Sequence, residues 1–186
     1  MAQWWFLLWV WAGMLAVATE TVWGRRAVQT TTQEASRSDD ILKLATLFAL
    51  AGPLSVGPLL TGERSDPEVV LGAVAGFGGV ALRAVAMRIL GVRYQLSVSD
   101  LGQSGGLVES GPYRLVRHPG YLGLILYFTG AALLSAGVLG PLFVLPMLAG
   151  VVARIRLEDA VLRGEFGPLM IEYEQQVPWR LVPFVY

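Results

Sequence analysis

Residues 121–152 read YLGLILYFTGAALLSAGVLGPLFVLPMLAGVV, and the length of this run decides the fold. It is apolar from end to end, and a membrane span needs about 20 such residues. One span would leave residues over, and two would be short. At about 1.5 Å per residue the run reaches roughly 48 Å as one helix, or about 24 Å for each arm if it folds back. Gly137, Gly140 and Pro141 punctuate its middle, where a turn is expected. The run therefore reads as a helical hairpin with arms at residues 121–136 and 141–153. The second arm is expected to continue as helix into the polar region beyond.

The remainder of the chain agrees with a membrane setting. Of its 186 residues 54% are hydrophobic and 15% charged, against about 25% charged in an ordinary soluble domain. Further apolar runs at residues 4–23, 41–60 and 69–90 bring the expected count to five transmembrane helices. The expected fold is thus an all-α membrane protein, a single domain over residues 1–186, with its catalytic region at residues 91–186 and a cytoplasmic cofactor pocket formed by loop and C-terminal helix.

Local signals refine this reading. Trp4, Trp5, Trp9 and Trp11 suit an interfacial belt. Ala16-Val17-Ala18 resembles a signal-peptidase site, but no basic residue precedes the run, so a retained helix is expected. Pro53 and Pro58 would kink or end the second run. Gly72, Gly76 and Gly79 offer the third run small residues for close helix packing. Residues 24–40 read as a polar loop, and residues 91–112 as a short extended segment with turns. Gly102-Gln103-Ser104-Gly105-Gly106 lacks the lysine of a phosphate loop.

Basic residues orient the spans, because cytoplasmic loops are enriched in them. Arg25, Arg26, Arg37, Lys43, Arg88, Arg93, Arg114, Arg117, Arg154, Arg156, Arg163 and Arg180 all fall on one side of a five-span arrangement. Arg64 falls on the other, and Arg83 lies inside the third span. The N-terminus is expected outside and the C-terminus in the cytoplasm. Arg83 either snorkels to the interface or faces a polar cavity.

Composition also excludes chemistry. Net charge is zero, so nothing points to nucleic acid. Cysteine is absent and His118 is the one histidine. No thiolate site is possible, and no metal site is expected, since such sites usually recruit two or more imidazoles.

Two polar clusters bracket the hairpin. At its entrance stands Gly111-Pro112-Tyr113-Arg114-Leu115-Val116-Arg117-His118-Pro119-Gly120-Tyr121-Leu122-Gly123. Pro119 suits the first turn of a helix, where its missing N–H costs nothing. His118 then sits at a helix entry, where the dipole favours an anionic group. At its exit stands Arg154-Ile155-Arg156-Leu157-Glu158-Asp159. Arg154 lies four residues before Glu158 and five before Asp159, so one helical face can present a cation with carboxylates. Charge directly after an apolar arm is costly unless it faces a polar cavity. Further on, Leu162, Phe166, Met170 and Tyr173 form an apolar stripe, which either covers a pocket or lies on the membrane.

The ordered combination of Gly111-Pro112-Tyr113, Arg117-His118-Pro119, Tyr121, Gly123, an apolar hairpin, Arg154-Ile155, Glu158-Asp159, Leu162 and Phe166-Gly167 resembles the isoprenylcysteine carboxyl methyltransferase family. It is also similar to the related phospholipid methyltransferases. The resemblance covers residues 111–183, and upstream of residue 90 it extends only to the presence of spans. It implies an integral membrane enzyme, in a bacterial inner membrane by composition, that uses S-adenosylmethionine on a lipophilic acceptor entering from the bilayer. Tyr113, Arg117, His118, Pro119, Tyr121 and Glu158 would line the cofactor pocket, and Arg154 with Glu158 or Asp159 would face the acceptor, foremost a carboxylate of an isoprenylcysteine-like or isoprenoid substrate. Two positions depart from the family pattern: Asp159 replaces a glutamate, and Met170 replaces a tyrosine, although Tyr173 fits a later one. Two other readings stay open, a membrane sterol-type reductase using NADPH and a non-catalytic protein on the same scaffold.

Overall fold

The computed structural model describes residues 44–49, 51–52, 65–91 and 107–186. The expectations for residues 4–23, 24–40 and 92–106, and for residues 41–43, 50 and 53–60 of the second run, lie outside the described residues. Within them the structure is helical, with no strand. Helix α1 is Asp66–Leu90, α2 is Pro119–Ala136, α3 is Leu145–Phe166 and α4 is Pro168–Gln176. Short 3-10 segments occupy Gly111–Arg114 and Gly137–Val144.

Helix α1 begins three residues before the expected start of its apolar run. Its first turn holds Asp66, Pro67 and Glu68, all start signals that hydropathy alone passes over. The Ser65 N–H donates to Glu68 Oε2 at 3.1 Å, tying off the helix entry. Gly91, at φ 57°, ends the helix.

Helices α1 and α2 pack antiparallel along a glycine seam. A Cβ on Gly79 would lie 2.5 Å from both Gly123 O and Tyr127 N, and one on Gly123 would lie 2.7 Å from Gly79 O and 2.8 Å from Arg83 N. Two turns of the seam further along, a Cβ on Gly130 would collide with Gly72 O and sit 2.5 Å from Gly76 N. The expected small-residue face at Gly72, Gly76 and Gly79 is present, and its partners are Gly123 and Gly130 of α2. Backbones this close gain dispersion contacts along their whole length, which is how helices associate when lipid removes any hydrophobic advantage.

The hairpin is present, with a longer turn than expected. Helix α2 starts at Pro119 and stops at Gly137, whose φ of 64° only glycine adopts at no cost. The 3-10 segment then folds back, placing Gly140 against Ala132 O, so α3 begins at Leu145 instead of residue 141. Val144 and Met147 pack on Leu124, Tyr127, Phe128 and Ala132, and Val151 and Ile155 on Tyr121, Leu122 and Ile125. Helix α3 therefore descends beside α2 and returns the chain to the level where α2 began. Helical residues 44–49 and 51–52 close the other flank, with Ala49 in the same core and Phe48 5.8 Å from Phe143.

Many outward-facing side chains of α1 and the hairpin turn are apolar. Val70, Leu71, Val74, Val80 and Val85 of α1 are exposed, as are Val138, Leu139, Leu142 and Leu145 around the hairpin turn. Asp66–Leu90 and the hairpin Pro119–Phe166 are long and apolar enough to cross a membrane, with mean hydropathy 1.9 and 2.1.

Candidate active site

The entrance of α2 is gripped by a returning segment. The Arg117 N–H donates to Trp179 O and the His118 N–H to Arg180 O, both at 2.9 Å. Pro119 has no N–H to satisfy and starts the helix. The chain thus changes from a loop hydrogen-bonded to the returning segment to helix at His118, whose carbonyl accepts from the Tyr121 and Leu122 N–H groups.

Asp159 is the hub of this end of the molecule. Its side chain is 2% exposed and both oxygens are engaged. The His118 Nε2–H donates to Oδ1 at 2.8 Å, and Arg180 Nε donates to Oδ2 at 2.7 Å. Arg117 Nη1 adds a cation 3.7 Å from Oδ2. Arg117 in turn pairs with Glu174, which Arg163 clasps from the outside through Nε at 3.1 Å and Nη2 at 2.9 Å. The hydrogen bond to Asp159 pushes the Arg180 pKa up, so this pair stays charged. Buried charges of this kind persist only when paired and hydrogen-bonded, and here opposite signs alternate from Arg180 to Arg163.

Glu158, next to Asp159 but about 100° around the helix, faces a different neighbour. The Tyr121 O–H donates to Glu158 Oε2 at 3.1 Å, and Arg154 lies beside the same hydroxyl. Glu158, Tyr121 and Arg154 are half-buried, unlike Asp159. The His118 and Tyr121 rings stand 6.0 Å apart. Two layers result: a sealed ionic layer around Asp159, and beside it a reachable layer of one carboxylate, one phenol and one guanidinium.

Gly167, at φ 50°, breaks the helix after Phe166, and Pro168 starts α4 in a new direction. The apolar stripe consequently turns inward. Met170 and Tyr173 are buried with Val177, against Leu107, Leu162 and Phe166. The Tyr173 O–H donates to Tyr113 O at 2.7 Å, and burial pushes its phenol pKa up. Tyr113 O–H reaches Ala86 O of α1 at 3.4 Å. The stripe packs into this cluster. Met170 fills core volume here.

The structure brings Tyr113, Arg117, His118, Pro119, Tyr121, Arg154, Glu158 and Asp159 to one end of the molecule. Asp159 faces His118 and Arg180, and Arg117 and His118 are buried with it. Arg83 donates from Nη1 to Gly120 O at 2.8 Å, so it is tied to the first turn of α2, inside the bundle. Glu174, Trp179 and Arg180 went unmarked in the sequence beyond the charge count. Their one signal is composition, a charged and aromatic pair near the end of an otherwise apolar tail.

Glu174→Ala removes the bridge between Arg117 and Arg163. Because hydrogen bonds to charged groups contribute about 1.5–3 kcal/mol, we expect a loss of that order in unfolding free energy. Thermal unfolding in detergent followed by tryptophan fluorescence measures it.

The phospholipid methyltransferase family model matches residues 67–168, more than half of the chain. The match takes in α1, both glycine partners, His118, Arg154, Glu158 and Asp159, and stops before Glu174 and Arg180. No individual curated protein matches the chain.

Proposed function

The chain belongs to the phospholipid methyltransferase family, and from that membership we propose that it methylates a lipophilic acceptor with S-adenosylmethionine at the cytoplasmic face of a bacterial inner membrane. Membership favours this reading over the nicotinamide-dependent reductase. The orientation, N-terminus outside, rests on the distribution of basic residues.

The residues present fit the cofactor. When bound, S-adenosylmethionine supplies an electrophilic methyl group on a sulfonium, so the acceptor–carbon bond forms as the carbon–sulfur bond breaks and its electron pair leaves on sulfur. Glu158, whose partner is the neutral Tyr121 hydroxyl, can hold an ammonium or ribose hydroxyl. The Tyr121 ring supplies an aromatic face. Arg154 can grip an acceptor carboxylate with parallel hydrogen bonds. Such an acceptor loses no proton and needs no general base, so alignment is the protein's main contribution. In this proposal Asp159, His118 and Arg180 are positioning residues that fix the entrance of α2 and with it Tyr121.

The observation that carries this reading is the half-buried Tyr121–Glu158–Arg154 group beside a sealed ionic layer. It has a direct test. Purified protein in detergent should bind S-adenosylmethionine saturably, and His118→Ala and Glu158→Ala should each weaken binding by about ten-fold or more, the equivalent of about 1.4 kcal/mol. Binding of NADPH alone would reject the proposal, and binding of neither would favour a non-catalytic scaffold. Incubation of membrane lipid with methyl-labelled cofactor then identifies the acceptor class. A base-labile label marks a carboxyl ester, as proposed. A base-stable label marks an amine or thiol acceptor, for which Glu158 would take the proton.

A further inference from the structure

The two most exposed of the large apolar side chains among the described residues, Phe184 and Val185, lie in the segment 181–186, which reads LVPFVY and has no charged side chain. Phe184 is 85% exposed, Val185 77% and Val182 42%. The segment is a closed turn: Leu181 N–H donates to Tyr186 O at 2.7 Å, Val182 N–H to Tyr186 O at 3.1 Å, and Val185 N–H to Val182 O at 3.1 Å. Phe184 also holds φ at 67°, a left-handed backbone that bulky residues seldom adopt. Strain and water exposure therefore fall on one ring, where glycine or asparagine would make the same turn without either.

The base of the turn fixes its depth. Leu181 is buried with Val151 and Ile155, and Tyr186 packs on the same cluster, together with Tyr121, Leu122 and Ile125. These are the first turns of α2 and the last apolar turns of α3, the level at which the hairpin would enter the hydrocarbon. Trp179 stands behind the tip, its ring 5.2 Å from Phe184, and Arg180 lies over the Tyr186 ring at 5.3 Å. Aromatic rings backed by a guanidinium suit the headgroup boundary.

We infer that the turn 181–186 inserts into the bilayer interface, with Phe184 and Val185 leading. The inference rests on reading α2 and α3 as a membrane hairpin. It adds a contact outside the spans that bears on the site, because Trp179 and Arg180 lie directly before the turn. Their carbonyls receive the Arg117 and His118 N–H groups, and the Arg180 side chain holds Asp159. The bilayer thereby steadies the segment that grips the entrance of α2.

The absence of cysteine makes the test direct. Phe184→Cys and Val185→Cys, made separately and spin-labelled, are placed in phosphatidylethanolamine–phosphatidylglycerol vesicles. Collision with oxygen and with a water-soluble nickel chelate is then measured. The expected result is a severalfold higher oxygen-to-nickel ratio at both sites than at Glu165→Cys, an exposed position on α3. A ratio equal to that of Glu165→Cys overturns the inference. Protection from both reagents also overturns it, in favour of a protein contact. Val74→Cys, on the exposed apolar face of α1, separates the premise from the inference. If Val74→Cys is lipid-exposed while residues 184 and 185 are wet, only the inference fails; if Val74→Cys is wet, the membrane reading fails with it.

Discussion

Asp159→Ala is expected to abolish methyl transfer and to destabilise the protein by about 3–5 kcal/mol, the cost of removing one partner from a buried ion pair. Asp159 is 2% exposed and stands between His118, Arg180 and Arg117. Without it Arg117, itself only 7% exposed, loses one of its two nearby carboxylates. Arg180 loses its hydrogen-bonded partner, and the His118 ring loses its acceptor. The effect reaches the reaction through position, because His118 is the residue on which α2 starts and Tyr121 lies one turn on. Asp159→Asn separates the two contributions. It keeps the shape and an acceptor for His118 but removes the negative charge, so it should recover part of the stability while Arg180 stays unneutralised. The readings are the unfolding midpoint in detergent and cofactor affinity. A midpoint unchanged in Asp159→Ala would show that the ionic layer does not hold this end of the molecule together.

Gly130→Leu is expected to prevent accumulation of folded protein. The glycine sits where α1 and α2 touch backbone to backbone, and a Cβ there meets Gly72 O and Gly76 N. Neither obstacle can rotate away, as a side chain could. Overpacking a well-filled interior costs about 1–3 kcal/mol, and a clash between two main chains belongs above that range. Moving α1 outward would also pull Arg83 from Gly120 O and Ala86 from Tyr113, both next to the candidate site. Gly78→Ala, on the facing helix α1, is the control, since a Cβ there has nothing within 4 Å. It should leave yield and midpoint unchanged, or raise stability by up to about 1 kcal/mol through the better helix propensity of alanine. Size-exclusion profiles of the two variants in one detergent decide the matter, and equal monodisperse yields would sink the claim.

The elements legible in the sequence share a cause: their signals are local. Pro119 at the helix entrance, the Gly137 stop, the glycine face of α1 and the hairpin all follow from residues within a turn or two of one another. The shift of α1 back to Asp66 belongs here too, because its start signals were in the chain but carry no hydropathy. The length of the hairpin turn was less legible. Gly140 and Pro141 announce a break, but only the seat of Gly140 against Ala132 O shows that eight residues of 3-10 helix complete it.

The candidate site divides the same way. Residue types and spacing put His118, Tyr121, Arg154, Glu158 and Asp159 at one end of a hairpin, and that follows from the sequence alone, since a second arm about as long as the first returns to the level where the first began. Which carboxylate is sealed and which is reachable was settled only by tertiary structure. Glu158 and Asp159 are neighbours in sequence and nearly alike in chemistry. The segment 178–181, returning past α4, covers one and leaves the other half-exposed. That return depends on Gly167 turning α4, on Tyr173 reaching Tyr113 O and on Glu174 joining Arg117 to Arg163. These contacts join residues 11 to 60 positions apart, a separation over which helical periodicity carries no information. Periodicity says which face of a helix is apolar. Only packing says what that face meets.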